Sequence, residues 1–209
     1  MTTISKARRA LHSGQAAGKL RIFLLGPFQI IGPDGRDLTP RRHKANALLA
    51  LVASAERGQR ARSWLCSRLW SDRSQEQSLG SLRQSLTDVR RALGDQWERY
   101  VQIDAFNVAI NFDTVWVDAV ALRESGPQAL DHETGEFLEG IDVRDDEFED
   151  WLTLERSYWQ QLREARATRP AETLPAAVVH SIPDHGTLKL SMGGRTIEIR
   201  ILDPEPALA

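Results

Sequence analysis

An α+β fold is predicted by three features of this 209-residue sequence. Short apolar runs broken by glycine and proline open it, helical patterns follow, and an alternating apolar segment at 100–111 closes the block. Residues 20–25 and 28–31 are the first two strands, with Gly26-Pro27 as the turn between them. Gly32-Pro33-Asp34-Gly35 is a second turn signal, and 36–38 then adds a third strand to a small antiparallel sheet.

Thr39 as N-cap and Pro40 at the first helical position start a helix that runs to about Arg57 and stops at Gly58. Its inward residues are Ala45, Leu48, Leu49, Val52 and Ala55. A shorter helix covers 61–70, with Leu65, Cys66 and Leu69 inward. The clearest helix is 75–93, where Leu79, Leu82, Leu86, Val89 and Leu93 step by 3, 4, 3 and 4 and Gly94 supplies the C-terminal stop. At 100° per residue its opposite face carries Gln77, Gly80, Gln84, Thr87, Asp88 and Arg91, flanked by Arg83 and Arg90. Residues 100–104 and 106–111 alternate as a hairpin. Strands, three helices and a closing hairpin are the element order of a winged helix-turn-helix with an N-terminal sheet and a C-terminal wing.

The expected division is a flexible basic tail at 1–18, the winged helix at 19–111, a helical extension at 112–168 and a Pro-rich linker at 169–209. The extension holds a weak helix at 120–130 and a long one at 147–166, with Phe148, Trp151, Leu152, Tyr158, Trp159 and Leu162 at helical spacing. Ahead of the long helix, residues 142–150 hold six acids in nine positions and read as a solvated run that favours its N-terminus. Inside the linker, 187–192 and 195–202 flank Gly193-Gly194, a terminal β-hairpin that pairs Leu190 with Ile197 and Leu188 with Ile199.

The net charge of −2 conceals a split: residues 1–100 carry 18 Lys+Arg against 8 Asp+Glu, and 101–209 carry 9 against 21. A basic half of this kind points to an anionic partner. The single cysteine, Cys66, excludes an intramolecular disulfide framework and a multi-cysteine zinc site, and fits a reducing, cytoplasmic setting. No apolar run reaches the roughly 18 residues a membrane helix needs.

Catalytic patterns are missing. The stretch from Gly14 to Lys19 has three residues between its glycines where a phosphate-binding loop has four, and Leu20 stands where the metal-binding hydroxyl belongs. The five histidines form no metal-ligand spacing, and no G-x-S-x-G elbow occurs. The expectation is a chain that is no enzyme and holds no cofactor or metal.

The outer face of the 75–93 helix offers what base reading needs: glutamine can pair with adenine, arginine with guanine, and threonine can meet a thymine methyl. The base-reading candidates are Gln77, Ser81, Arg83, Gln84, Thr87 and Arg91. The phosphate candidates are Arg41, Arg42, Lys44, Arg62, Arg73 and Arg90, with Asn107 at the wing.

Residues 20–111 resemble the OmpR-type winged helix of the SARP transcriptional regulators. The resemblance rests on LRIFLLGPFQI (20–30), LTPRRHKANALLALVA (38–53) and above all LWSDRSQEQSLGSLRQSLTDVRRALGD (69–95). GEFLEGIDVRDDEFEDWLTLERSYWQQL (135–162) is similar to the entry of that family's bacterial transcriptional activator domain. The resemblance implies a sequence-specific DNA-binding transcriptional regulator, with the loop Ser71, Asp72, Arg73, Ser74 facing RNA polymerase. It also implies a homodimer on a direct-repeat operator of double-stranded DNA. The sequence departs from the family in three ways. No receiver domain precedes the winged helix, so aspartyl phosphorylation is not the expected switch. The wing turn Asp104-Ala105-Phe106-Asn107 lacks a base. Only about one long helix of the activator domain is present, so the expectation is either a truncated module or the N-terminal piece of a longer protein, the second supported by the terminal hairpin. The alternative is a winged-helix interaction module that no longer binds DNA and docks a partner through Phe148, Trp151, Trp159 and the terminal hairpin.

Overall fold

The structure, a computed structural model, describes residues 18–130, 132, 134–168, 178–179, 187–192 and 195–200. It divides into two compact units, one ending at Ala167 and the other beginning at Thr168. The basic tail, apart from Gly18, and the Gly193-Gly194 turn lie outside the described residues, as does the chain between the long helix and Val178.

In the first unit, β1 (Leu20–Phe23) turns its Leu20 and Ile22 into the core and pairs antiparallel with β3 (Gln29–Ile31), Ile22 opposite Ile30. The third strand of this sheet is not 36–38. Asp37 makes an isolated bridge to Ile31, flanked by the Leu38 N–H on the Ile30 carbonyl and the Gly32 N–H on the Arg36 carbonyl, both at 2.8 Å. The contact stops there, where the Asp37 carboxylate accepts the Thr39 N–H at 2.8 Å. The place is taken by β7 (Val115–Val117), parallel to β1 on its other edge, with Ile22 opposite Val117. Gly26-Pro27, expected as a turn, is a two-residue strand β2 paired in parallel with β8 (Phe137–Glu139). Both pairings join residues far apart in sequence, and β7 crosses the boundary expected at residue 111.

Helix α1 (His43–Ala53) is shorter than expected at both ends. Thr39 does not cap it: its hydroxyl accepts the Ile30 N–H at 2.9 Å and so ties the helix approach to β3. From Ala47 to Ala53 every residue is buried, which makes α1 a central helix with apolar neighbours on all sides rather than one with a single stripe. Strand β4 (Gln59–Ala61) follows, then α2 (Arg62–Leu69), with Leu65, Cys66 and Leu69 buried as expected.

Helix α3 (Gln75–Leu93) has the bounds its pattern predicts. Leu82, Leu86, Val89 and Leu93 are buried, Leu79 is half-buried, and Ser78 and Ser85 fill the narrow approach to its neighbours. A short 3-10 turn (Gly94–Gln96) and a one-turn helix α4 (Trp97–Tyr100) lead into the wing. The wing is a hairpin of β5 (Val101–Ile103) and β6 (Asn107–Ile110), extended by β4 into a three-stranded sheet in the order β4-β6-β5.

The extension packs into the same core. Helix α5 (Asp118–Ser125) ends at Gly126, at φ 84°, and a separate 3-10 turn (Pro127–Ala129) occupies the rest of the expected 120–130 helix. Asp118 is fully buried, and its two oxygens accept the N–H groups of Leu24 and Leu25 at 2.8 and 2.9 Å. This carboxylate therefore satisfies backbone donors that the end of β1 would otherwise leave buried and bare. Helix α6 (Asp146–Thr168) buries Phe148, Trp151, Leu152 and Trp159, with the Trp159 ring stacked on Phe137 at 5.7 Å. Tyr158, expected inward, is 45% exposed. In the acidic run Asp145 is buried, and its carboxylate accepts the Ser71 N–H at 2.9 Å.

In the second unit, β10 (Thr187–Met192) and β11 (Arg195–Arg200) pair with Leu190 opposite Ile197 and Leu188 opposite Ile199, the predicted register. A third strand, β9 (Val178–Val179), lies antiparallel to β10.

Candidate nucleic-acid interface

Helix α3 begins with a capping box. Ser74 Oγ accepts the Gln77 N–H at 3.4 Å, and Gln77 Oε1 accepts the Ser74 N–H at 3.3 Å. The box fixes where the helix starts and therefore which residues face outward. It also engages Gln77, the first of the base-reading candidates, in holding its own helix. Arg83, Gln84, Thr87 and Arg91 are exposed along the outer face, while Ser81 is half-buried and donates to the Gln77 carbonyl at 2.9 Å. The Thr87 hydroxyl donates to the Arg83 carbonyl, so its methyl is the part that faces out.

The phosphate candidates divide by environment. Arg41, Arg42, Arg73 and Arg90 are exposed. Arg73 donates to Ser81 Oγ at 2.7 Å, and Arg90 lies over the Trp97 ring at 5.2 Å. Arg42 Nε is 3.4 Å from Asp88 Oδ2, and Arg91 Nη1 is 3.7 Å from the other oxygen of the same carboxylate. Lys44 is differently placed. Its ammonium donates to the Leu69 carbonyl at 2.6 Å above the Trp70 ring, and burial pushes its pKa down. Arg62 is half-buried and donates to the Asp104 carbonyl at 3.2 Å, tying α2 to the wing.

At the wing turn, Asp104 Oδ1 accepts the N–H groups of Phe106 and Asn107, both at 2.7 Å. These bonds hold its carboxyl below the usual aspartate range. The Asn107 side chain turns back toward the other oxygen of Asp104, at 3.5 Å, so the group expected to reach outward is Asn107 but the one that does is Phe106, 77% exposed. Phe106 also borders an open groove of about 840 Å³ between α2 and α3, together with Ser63, Cys66, Ser67, Arg83 and Glu147. Burial raises the Cys66 thiol pKa, which keeps it protonated and unreactive.

The loop between α2 and α3 is held at each end. The Ser71 N–H is bound by Asp145, Ser74 closes the capping box, and the Arg73 N–H donates to the Trp70 carbonyl at 3.2 Å. Arg68 of α2 forms an ion pair with Glu147 of α6. The three features that sequence reasoning missed are Asp88 as a meeting point, Phe106 as the exposed wing residue and Asp145 as the loop anchor. For Asp88 a signal existed, since it stands four residues after Gln84 and three before Arg91 on one helix face.

A three-helix core with a capped, outward-facing third helix and an adjoining three-stranded wing is the winged-helix arrangement. A solved structure of Mycobacterium tuberculosis EmbR in complex with a low-affinity phosphopeptide shares this fold. It matches with a TM-score of 0.50 at 18% identity, over 71% of this chain and 45% of that one, so this chain spans less than half of its length. No family model matches the sequence, and no curated protein does. Among the described residues no helix is long and apolar enough to cross a membrane.

Proposed function

We propose that the chain is a sequence-specific DNA-binding transcriptional regulator that lays α3 in the major groove. The observation that carries the reading is the outer face of α3, a rigidly capped helix of 19 residues whose exposed side chains include Arg83, Gln84, Thr87 and Arg91. Such a helix fits the major groove and carries the donors and acceptors that distinguish base pairs there. Arg41, Arg42 and Arg90 flank it as phosphate ligands, whereas Lys44 and Arg62 hold the protein together instead. The loop Ser71–Ser74 would face RNA polymerase, stiffened by Asp145, and two copies would share a direct-repeat operator. The fold likeness to EmbR supports the same class of protein.

Selection of bound fragments from a genomic library, followed by gel retardation at fixed salt, tests this reading. Replacing Gln84 and Arg91 together by alanine is expected to cost about 1–3 kcal/mol for each base edge left unread and to relax preference at single positions. Unchanged affinity for the selected fragment would remove α3 as the reading helix.

A second reading is favoured by one region. The wing turn carries Asp104 and no base, and Leu154 and Tyr158 stand 72% and 45% exposed one turn apart on α6. These suit a protein-interaction module, but not one that docks through Phe148, Trp151 and Trp159 as expected, because those three side chains are buried in the core. Failure to retard any DNA at low salt would select it.

A further inference from the structure

Three side chains assigned to DNA recognition converge on one carboxylate outside that set. Asp88 Oδ2 lies 3.4 Å from Arg42 Nε, and Oδ1 lies 3.7 Å from Arg91 Nη1 and 3.5 Å from Gln84 Nε2. Arg42 immediately precedes α1, so the cluster joins two helices across the proposed DNA face. Asp88 is itself well covered, at 11% side-chain exposure, while Arg42 and Arg91 keep 72% and 77% of their surface open.

We propose that Asp88 is a positioning residue that sets sequence discrimination, by orienting Arg42, Gln84 and Arg91 while restraining their attraction to phosphate. The inference rests on the DNA-binding reading above. A guanidinium has five N–H donors, and each arginine meets Asp88 through a single nitrogen at a distance too long for a two-pronged pair. Most of the donors therefore stay directed outward. An ionised carboxylate only accepts, so the Gln84 amide must turn its NH₂ toward Asp88. That leaves Gln84 Oε1 and one N–H for a base edge, a defined pattern rather than a freely flipping one. The negative charge beside Arg42 and Arg91 meanwhile weakens the sequence-independent pull of the DNA backbone, which supplies nearly all non-specific affinity.

The test uses the full chain, with gel retardation of the fragment selected by the wild-type protein and of a scrambled fragment of equal length, over a series of salt concentrations. Asp88→Asn keeps the shape and removes the charge. The expected result is several-fold tighter binding to scrambled DNA, with a salt slope steeper by about 0.9 for each additional phosphate neutralised. The ratio of selected to scrambled affinity is expected to fall by about tenfold, the discrimination that one well-oriented bidentate pair supplies. Adding Arg42→Ala to the variant should return the scrambled affinity toward the wild-type value. An unchanged ratio, or an equal fall in both affinities together with a lower melting temperature, overturns the proposal. If the wild-type chain retards no DNA, the reading of α3 falls first and the role of Asp88 with it. That failure is visible in the wild-type lanes alone.

Discussion

Asp104 shows how a single exposed residue can shape a wing. Its carboxylate caps two successive N–H groups, and the Phe106 carbonyl beyond them accepts the Arg62 N–H at 2.7 Å. The turn is thus held from both sides without any buried apolar residue in it. Because these bonds lower the folded-state pKa, the support Asp104 gives is complete above the ordinary aspartate range and is lost as pH falls through its own, lower value. Amide protection factors at Phe106 and Asn107, taken against the intrinsic exchange rate at each pH, should therefore be high at neutral pH and fall in acid, and Asp104→Ala should leave them low at both. Equal exchange in the variant and the parent at neutral pH would contradict this. The identity of the outward residue could not be read from the turn sequence. Asn107 has the more obvious polar reach, but the competition between Asp104 and solvent for its amide is settled by geometry.

At the scale of elements, α3 was legible because every local signal agreed. The 3–4 apolar step marks its face and Gly94 marks its end, and the structure adds the Ser74–Gln77 box at its start. Ser74→Ala removes one half of the capping box and is expected to cost about 1 kcal/mol, read as a lower midpoint in urea with unchanged slope. By contrast β2, β4 and β7 are two or three residues long and too short for a periodicity to show. Two of them exist only through parallel partners more than 90 positions away, which no local pattern announces. Of the cluster at Asp88 only the Arg42 contact was hidden for a related reason, since Arg42 reaches it from outside α3. Helix α6 adds a case of its own. Burial raises the pKa of Glu155, although the Trp159 indole donates to it at 2.8 Å. A carboxyl with a raised folded-state pKa costs stability above that value and nothing below its ordinary one. Glu155→Gln keeps an acceptor for Trp159 and removes the charge, so it should melt higher than the parent at neutral pH. The gain should vanish as pH falls into the ordinary glutamate range.

For the whole first unit, the apolar core runs unbroken from Leu20 in β1 to Trp159 in α6. The winged helix and its extension share this core, and Asp118 stitches them through the N–H groups of Leu24 and Leu25. A chain cut after Phe112 loses β7, Asp118 and β8 together. It is expected to unfold at its N-terminal sheet, with loss of cooperative melting, and not to behave as a free DNA-binding module. A sharp two-state melt of that fragment at the parent temperature would show the extension to be dispensable. An Asp118→Ala variant should show a milder form of the same defect, at about 1–3 kcal/mol for each orphaned donor.

The parallel seat of β1 beside β7 also has a consequence for synthesis. Leu24 and the Asp118 carboxylate that holds it are 94 positions apart. At the ~5–20 residues per second of a translating ribosome, β1 waits on the order of 5–20 s for that partner to emerge. Meanwhile β3 can fold back on it locally, since Phe23 and Gln29 face each other across a short connection. The nascent chain therefore passes through a stage in which a two-stranded ribbon shows one open apolar edge to its surroundings, a ready template for pairing with another copy. Yield on rapid overexpression should then be governed less by the stability of the finished protein than by how quickly residues 115–118 follow.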